Sequence, residues 1–82
     1  MSLQQRVILA LRTHPYTDRG LPVMVAVEYP NDVKFKGTAM DVQQNTVVLI
    51  TSRSEHVINF DEALRVAIDG ERGQPSTVYE RD

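Results

Sequence analysis

Leu3, Val7, Ile8 and Leu11 recur along the start of the chain with the spacing of a one-sided helical stripe. Ser2 stands where an N-cap is expected. Pro15 cannot continue a helix and also pushes His14 out of helical geometry, so a helix of about three turns is predicted over residues 3–13. His14 to Leu21 (HPYTDRGL) collects Pro, Thr, Asp and Gly and reads as a loop. From Pro22 the period changes to two: Val23, Val25 and Val27 alternate with Met24, Ala26 and Glu28, the pattern of a half-buried strand. After the turn at Tyr29-Pro30-Asn31-Asp32, Val33 and Phe35 alternate with Lys34 and Lys36, which predicts a second strand with one buried and one wet face. Gly37 interrupts it where a bend or bulge is expected. Thr46 to Thr51 (TVVLIT) is β-branched and apolar on both faces, as a central strand is. Two further short strands follow, Glu55 to Phe60 and a last one in which Leu64, Val66 and Ile68 share a face. The predicted strands are 22–29, 33–43, 46–52, 55–60 and 64–68. The good helix formers between Glu62 and Ile68 make a second helix the main competing assignment.

A helix followed by five short antiparallel strands predicts a mainly β fold, a small, strongly curved five-stranded barrel with an N-terminal α-helix. The domain is expected to span 1–68, with the barrel in 22–68. The remaining DGERGQPSTVYERD, residues 69–82, is expected as a flexible polar tail. With 82 residues there is room for one domain, and a core of that size is only marginally stable alone, which makes an oligomer an attractive solution. No apolar run approaches the roughly 18 residues that a membrane helix needs. The start of the chain lacks the basic lead and small-residue cleavage site of a signal peptide. The chain contains no cysteine, so redox logic leaves the compartment open and the expectation is cytoplasmic by default.

The net charge of −2 lies wholly in the tail, where four acids face two arginines, while residues 1–68 balance seven bases against seven acids. A nucleic-acid surface on such a body must be a local patch, with salt-dependent affinity. Catalysis and metal chemistry find little support. His14 and His56 stand far apart without a patterned carboxylate or cysteine partner, and a zinc site needs three or four ligands. Ser52, Ser54 and Ser76 lie in turn or tail contexts, and no Gly-rich loop precedes a helix. No catalytic residue, metal or cofactor is predicted.

Ser2-Leu3-Gln4 followed by Ala10-Leu11-Arg12, then Pro22-Val23, Val33-Lys34-Phe35-Lys36-Gly37 and Val47-Val48-Leu49-Ile50, resemble in order the helix and first three strands of the Sm-like (LSm) superfamily, and within it the bacterial RNA chaperone Hfq most closely. The resemblance covers roughly Ser2 to Ile68 and implies an SH3-type barrel whose copies close a ring around single-stranded RNA. A hexamer is the form expected, with a pentamer or heptamer as alternatives, and the fourth strand of one subunit is expected to pair with the fifth of the next. The resemblance breaks where Hfq carries its YKHA signature. Here the stretch is Phe60-Asp61-Glu62-Ala63, with two acids in place of two bases, and Gln44 and Asn45 stand near the position of the base-stacking aromatic. The divergence fits a member of phage or plasmid origin with altered RNA preference.

By this resemblance the RNA-binding candidates are Lys34, Lys36, Arg12, Arg6, Gln4, Asn45 and Phe60, with Asp61 and Glu62 as an altered pore-proximal pocket. The basic ones have a plainer reading. The lysines also suit a solvated strand face, and Arg6 and Arg12 also suit the wet flank of an amphipathic helix. RNA is expected mainly at Lys34 and Lys36, because Asp61 and Glu62 repel phosphate. The alternative is a protein-binding module without RNA, since Sm-like barrels also include the small acidic inhibitor of the transcription terminator Rho, which binds a protein and not RNA. The neutral body, acidic tail and Asp61-Glu62 pair favour that reading.

Overall fold

The computed structural model describes residues 1–44 and 46–81. Its elements are helix α1 (Leu3–Arg12), a short helix α2 (Pro15–Asp18), and strands β1 (Val23–Glu28), β2 (Lys34–Val42), β3 (Val47–Ile50), β4 (Glu55–Ile58), β5 (Arg65–Ile68) and β6 (Thr77–Glu80), with a 3-10 turn at Phe60–Glu62. The strands form one antiparallel sheet in the order β4-β3-β2-β1-β5-β6, and no ladder joins β4 to β6, so the sheet is open.

Helix α1 starts where its chemistry dictates. The Ser2 hydroxyl accepts from the Gln5 N–H while the Gln5 side chain accepts from the Ser2 N–H, a capping box that satisfies two otherwise orphan donors. Its apolar stripe, Leu3, Val7, Ile8 and Leu11, is buried. In β1 the predicted alternation holds: Val23, Val25 and Val27 are buried and their neighbours half-exposed. Val47, Leu49, Ile58, Phe60, Ala63, Val66 and Ile68 complete the core between the helix and the inner sheet face. Arg65–Ile68 is a strand, which removes the helical alternative for that stretch.

Several expectations are corrected. The loop after α1 holds α2, whose N-cap is His14: its Nδ1 accepts from the Tyr16 N–H at 3.0 Å and its Nε2 lies 2.9 Å from the Asp69 carbonyl. Nδ1 accepts, so the ring carries its proton on Nε2 and donates to Asp69. Val33 is exposed because it lies in the turn before β2, and Leu64 is likewise partly exposed ahead of β5. Gly37 sits in regular register opposite Val25, and the irregularity falls instead between Ala39 and Asp41, at Met40. Glycine suits position 37 for a different reason: a Cβ there would meet the Leu49 side chain and the Ile50 carbonyl at 3.2 Å, so these neighbours would have to give by a few tenths of an ångström. The fourth strand ends at Ile58, and Phe60 turns inward in the 3-10 turn that Asn59 caps.

The largest correction concerns the segment expected as a flexible tail. Thr77–Glu80 forms β6, paired antiparallel with β5, and half-buried Tyr79 packs against the core opposite Val66. The connection is tied down by an Arg19–Glu71 ion pair at 2.6 Å and by the Tyr16 hydroxyl, which accepts from the Arg72 N–H. The sheet therefore has six strands where five were expected. The outer edge of β5, which the expected ring contact uses, is occupied by the chain's own β6.

Candidate nucleic-acid interface

Antiparallel register fixes which side chains share the outer face. Val27, Val25 and Val23 are buried and stand opposite Phe35, Gly37 and Ala39, so Lys34 and Lys36 lie on the other face, opposite Glu28 and Ala26. On the opposite side of β1 the same face carries Arg65, opposite Glu28, and Ala67, opposite Ala26. Together these residues line a shallow depression of about 360 Å³ with Ala26 and Ala67 as its floor and Lys34, Lys36 and Arg65 around it. Glu28 is the one acid there, 3.5 Å from the Arg65 guanidinium. Three bases against one acid give this patch the positive sign that the whole chain lacks. Arg65 was not among the sequence candidates. Its position was legible, because the alternation of Leu64, Val66 and Ile68 turns Arg65 to the opposite face.

The other candidates do not join this patch. Arg12 is exposed at the end of α1, beside a hollow of about 600 Å³ lined also by Leu21, Met40 and Asp41. Arg6 is half-buried and donates from Nη2 to the Glu80 carbonyl at 2.6 Å, tying α1 to β6. Asn45 lies outside the described residues.

Gln4, Phe60 and Asp61 do come together, but as a structural knot. The Phe60 side chain is 0% exposed, which removes it as a stacking platform. Gln4, only 8% exposed, accepts at Oε1 from the Phe60 N–H at 2.6 Å, and its own N–H donates to the Asp61 carboxylate at 2.9 Å. Asp61 thereby binds an orphan donor in the first turn of α1, where a negative charge also complements the helix dipole. Its carbonyl accepts from Arg81 Nη2 at 2.6 Å, which joins the knot to the end of β6. Glu62 is exposed beyond it. Burial, and then the Glu62 carboxylate, push the Tyr29 phenol above its ordinary range.

Among the described residues no group of three or more His, Cys, Asp or Glu is arranged to hold a metal ion, and no helix is long and apolar enough to cross a membrane. Comparison with protein families, curated proteins and solved structures returned no match.

Proposed function

We propose that this chain is a divergent Sm-like protein that acts by binding single-stranded RNA, with the phosphate backbone on the outer face of β2, β1 and β5. The observation that carries this reading is the convergence of Lys34, Lys36 and Arg65 over an apolar floor. Cations on rigid neighbouring strands are held apart at fixed spacing, which suits a string of phosphates better than a single anion. The alanine floor leaves room for a sugar or base to lie against it. Glu28 limits the strength of the site, since an incoming phosphate competes with it for Arg65.

Replacing Lys34, Lys36 and Arg65 together with alanine tests the reading. All three side chains are exposed, so folding stability is expected to change by less than about 0.5 kcal/mol per site. Binding of labelled A-rich and U-rich oligonucleotides should weaken, and the slope of log K against log salt should flatten by about 2. An unchanged affinity and salt slope in the triple variant would exclude this face.

A second reading, a protein-binding regulator, is favoured by a different surface. Leu9, Leu21 and Met40 are exposed apolar side chains on the side of the molecule where Arg12 stands, and Arg12 borders the hollow at Leu21 and Met40. A chain that binds neither oligonucleotide at low salt would move the assignment to this side.

A further inference from the structure

Among the described residues the open sheet ends in two strand edges, β4 and β6, and they are not equivalent. Thr51 donates to the Ser54 carbonyl across the β3–β4 hairpin at 2.9 Å. Alternation along the ladder then bonds Leu49 with His56 and Val47 with Ile58, and turns the N–H and C=O of Glu55 and Val57 to the open side. Val57 is 70% exposed, with its side chain on the outer face beside Val48. Neither a proline, a lysine nor a bulge guards this edge. A groove of about 480 Å³ runs beside it, bordered by Val57 and Asn59 on the strand side and by Ser2 and Gln5 of the helix start.

The β6 edge is guarded. Arg81 donates to the Leu64 carbonyl, so the same alternation turns Val78 and Glu80 outward, and there Arg6 already occupies the Glu80 carbonyl. A head-to-tail contact of β4 on β6 that sets Val57 against Val78 also sets Glu55 against Glu80, two like charges on one face.

We propose that two copies of this chain pair antiparallel through β4, with Val57 facing Val57 of the second copy on a two-fold axis. In that register Glu55 stands opposite Asn59 and His56 opposite Ile58, so no like charges meet and both inner faces stay inward. Asn59 is itself extended, with φ −104° and ψ 106°, and prolongs the strand to complete the pairing. The register shifted by one pair sets Val57 against Glu55 and loses the apolar match. The outer face gains a row of four valines, Val48 and Val57 from each copy. A two-fold axis perpendicular to the sheet also keeps both Lys34, Lys36 and Arg65 patches on one side, with the β2 strands five strand spacings apart, about 24 Å along the sheet. That bivalency deepens the proposed RNA reading and rests on it; the pairing itself does not.

The chain carries no cysteine, so a Val57→Cys variant has a single thiol at the proposed axis. A short bismaleimide should link it into a covalent dimer, and sedimentation of the wild type at micromolar concentration should give twice the 9.3 kDa chain mass. Val57→Lys should sediment as a folded monomer by circular dichroism, while Val78→Lys keeps the dimer mass. The Lys34, Lys36 and Arg65 alanine variant carrying Val57→Cys should still cross-link. A wild-type monomer, a dimer lost in Val78→Lys but kept in Val57→Lys, or a ladder from Val57→Cys with Val78→Cys where Val57→Cys alone gives no dimer would each overturn the pairing. A Val57→Cys dimer in a wild-type background that binds no RNA would support the pairing and defeat the RNA reading alone.

Discussion

Two regions of the molecule, which hold four of the residues that the resemblance marks for RNA (Lys34, Lys36, Gln4 and Phe60), have opposite characters. On the outer sheet face Lys34 and Lys36 stand exposed with Arg65 on a floor of small side chains. At the start of α1, Gln4, Phe60 and Asp61 are consumed by one another and by the backbone. The difference lies in what each side chain does for the fold. Among the described residues no hydrogen bond or ion pair engages either lysine side chain, so their charge is available to a partner. Asp61 and Gln4 terminate a helix and a 3-10 turn, so their chemistry is already spent. Asp61 therefore has a role inside the chain, at the helix start, whereas Glu62 is exposed beside it.

The largest effect that would sharpen this contrast is at Phe60. Its ring is fully buried at the meeting of α1 and the sheet, so Phe60→Ala should cost about 3–5 kcal/mol. For a domain of this size that is most of the stability expected. Chemical denaturation should show it, and any loss of RNA binding should follow the unfolded fraction. A stable Phe60→Ala protein with weakened RNA binding would return Phe60 to the binding site and break the comparison. Gln4→Ala should come next, at about 1–3 kcal/mol, because it leaves the Phe60 N–H buried without its acceptor. Its affinity for RNA at temperatures well below the melting transition should match the wild type, in contrast to the triple variant of the basic face.

Much of this was legible from residue pattern alone. The helix, its cap at Ser2 and the five strands up to Ile68 follow from period and turn chemistry, since each local preference agrees with the final sheet. The outward direction of Lys34 and Lys36 followed from the same alternation. What escaped was non-local. TVYE has four residues, one of them half-buried, and becomes a strand only because β5 offers an open edge and Arg6 and Arg81 hold its end. Phe60 reads as the last residue of a strand, and nothing local says that Asn59 will cap a 3-10 turn there. Gln4 reads as one polar residue on an amphipathic helix, and its partner lies 56 positions away. Hydrogen bonds of that kind leave no period in the sequence.

The smallest expected effect separates Glu62 from its neighbour Asp61 in the knot. Glu62 makes its mark through Tyr29, at the end of β1, whose phenol is held above its ordinary range first by burial and second by the Glu62 charge. The folded chain thus keeps the phenolic proton more tightly than the unfolded chain. Below about pH 10 both states are protonated at this group and stability does not depend on it. As pH rises past the unfolded value, the unfolded state loses its proton first and stability falls until the folded value is passed. Denaturation midpoints measured between about pH 8 and pH 11 should therefore decline more steeply for the wild type than for Tyr29→Phe. Glu62→Gln should recover only the lesser part of that difference, because burial is the larger cause, and its RNA affinity should rise slightly if phosphate passes near the knot. A Glu62→Gln protein with the wild-type alkaline profile would show that Glu62 does not act on Tyr29.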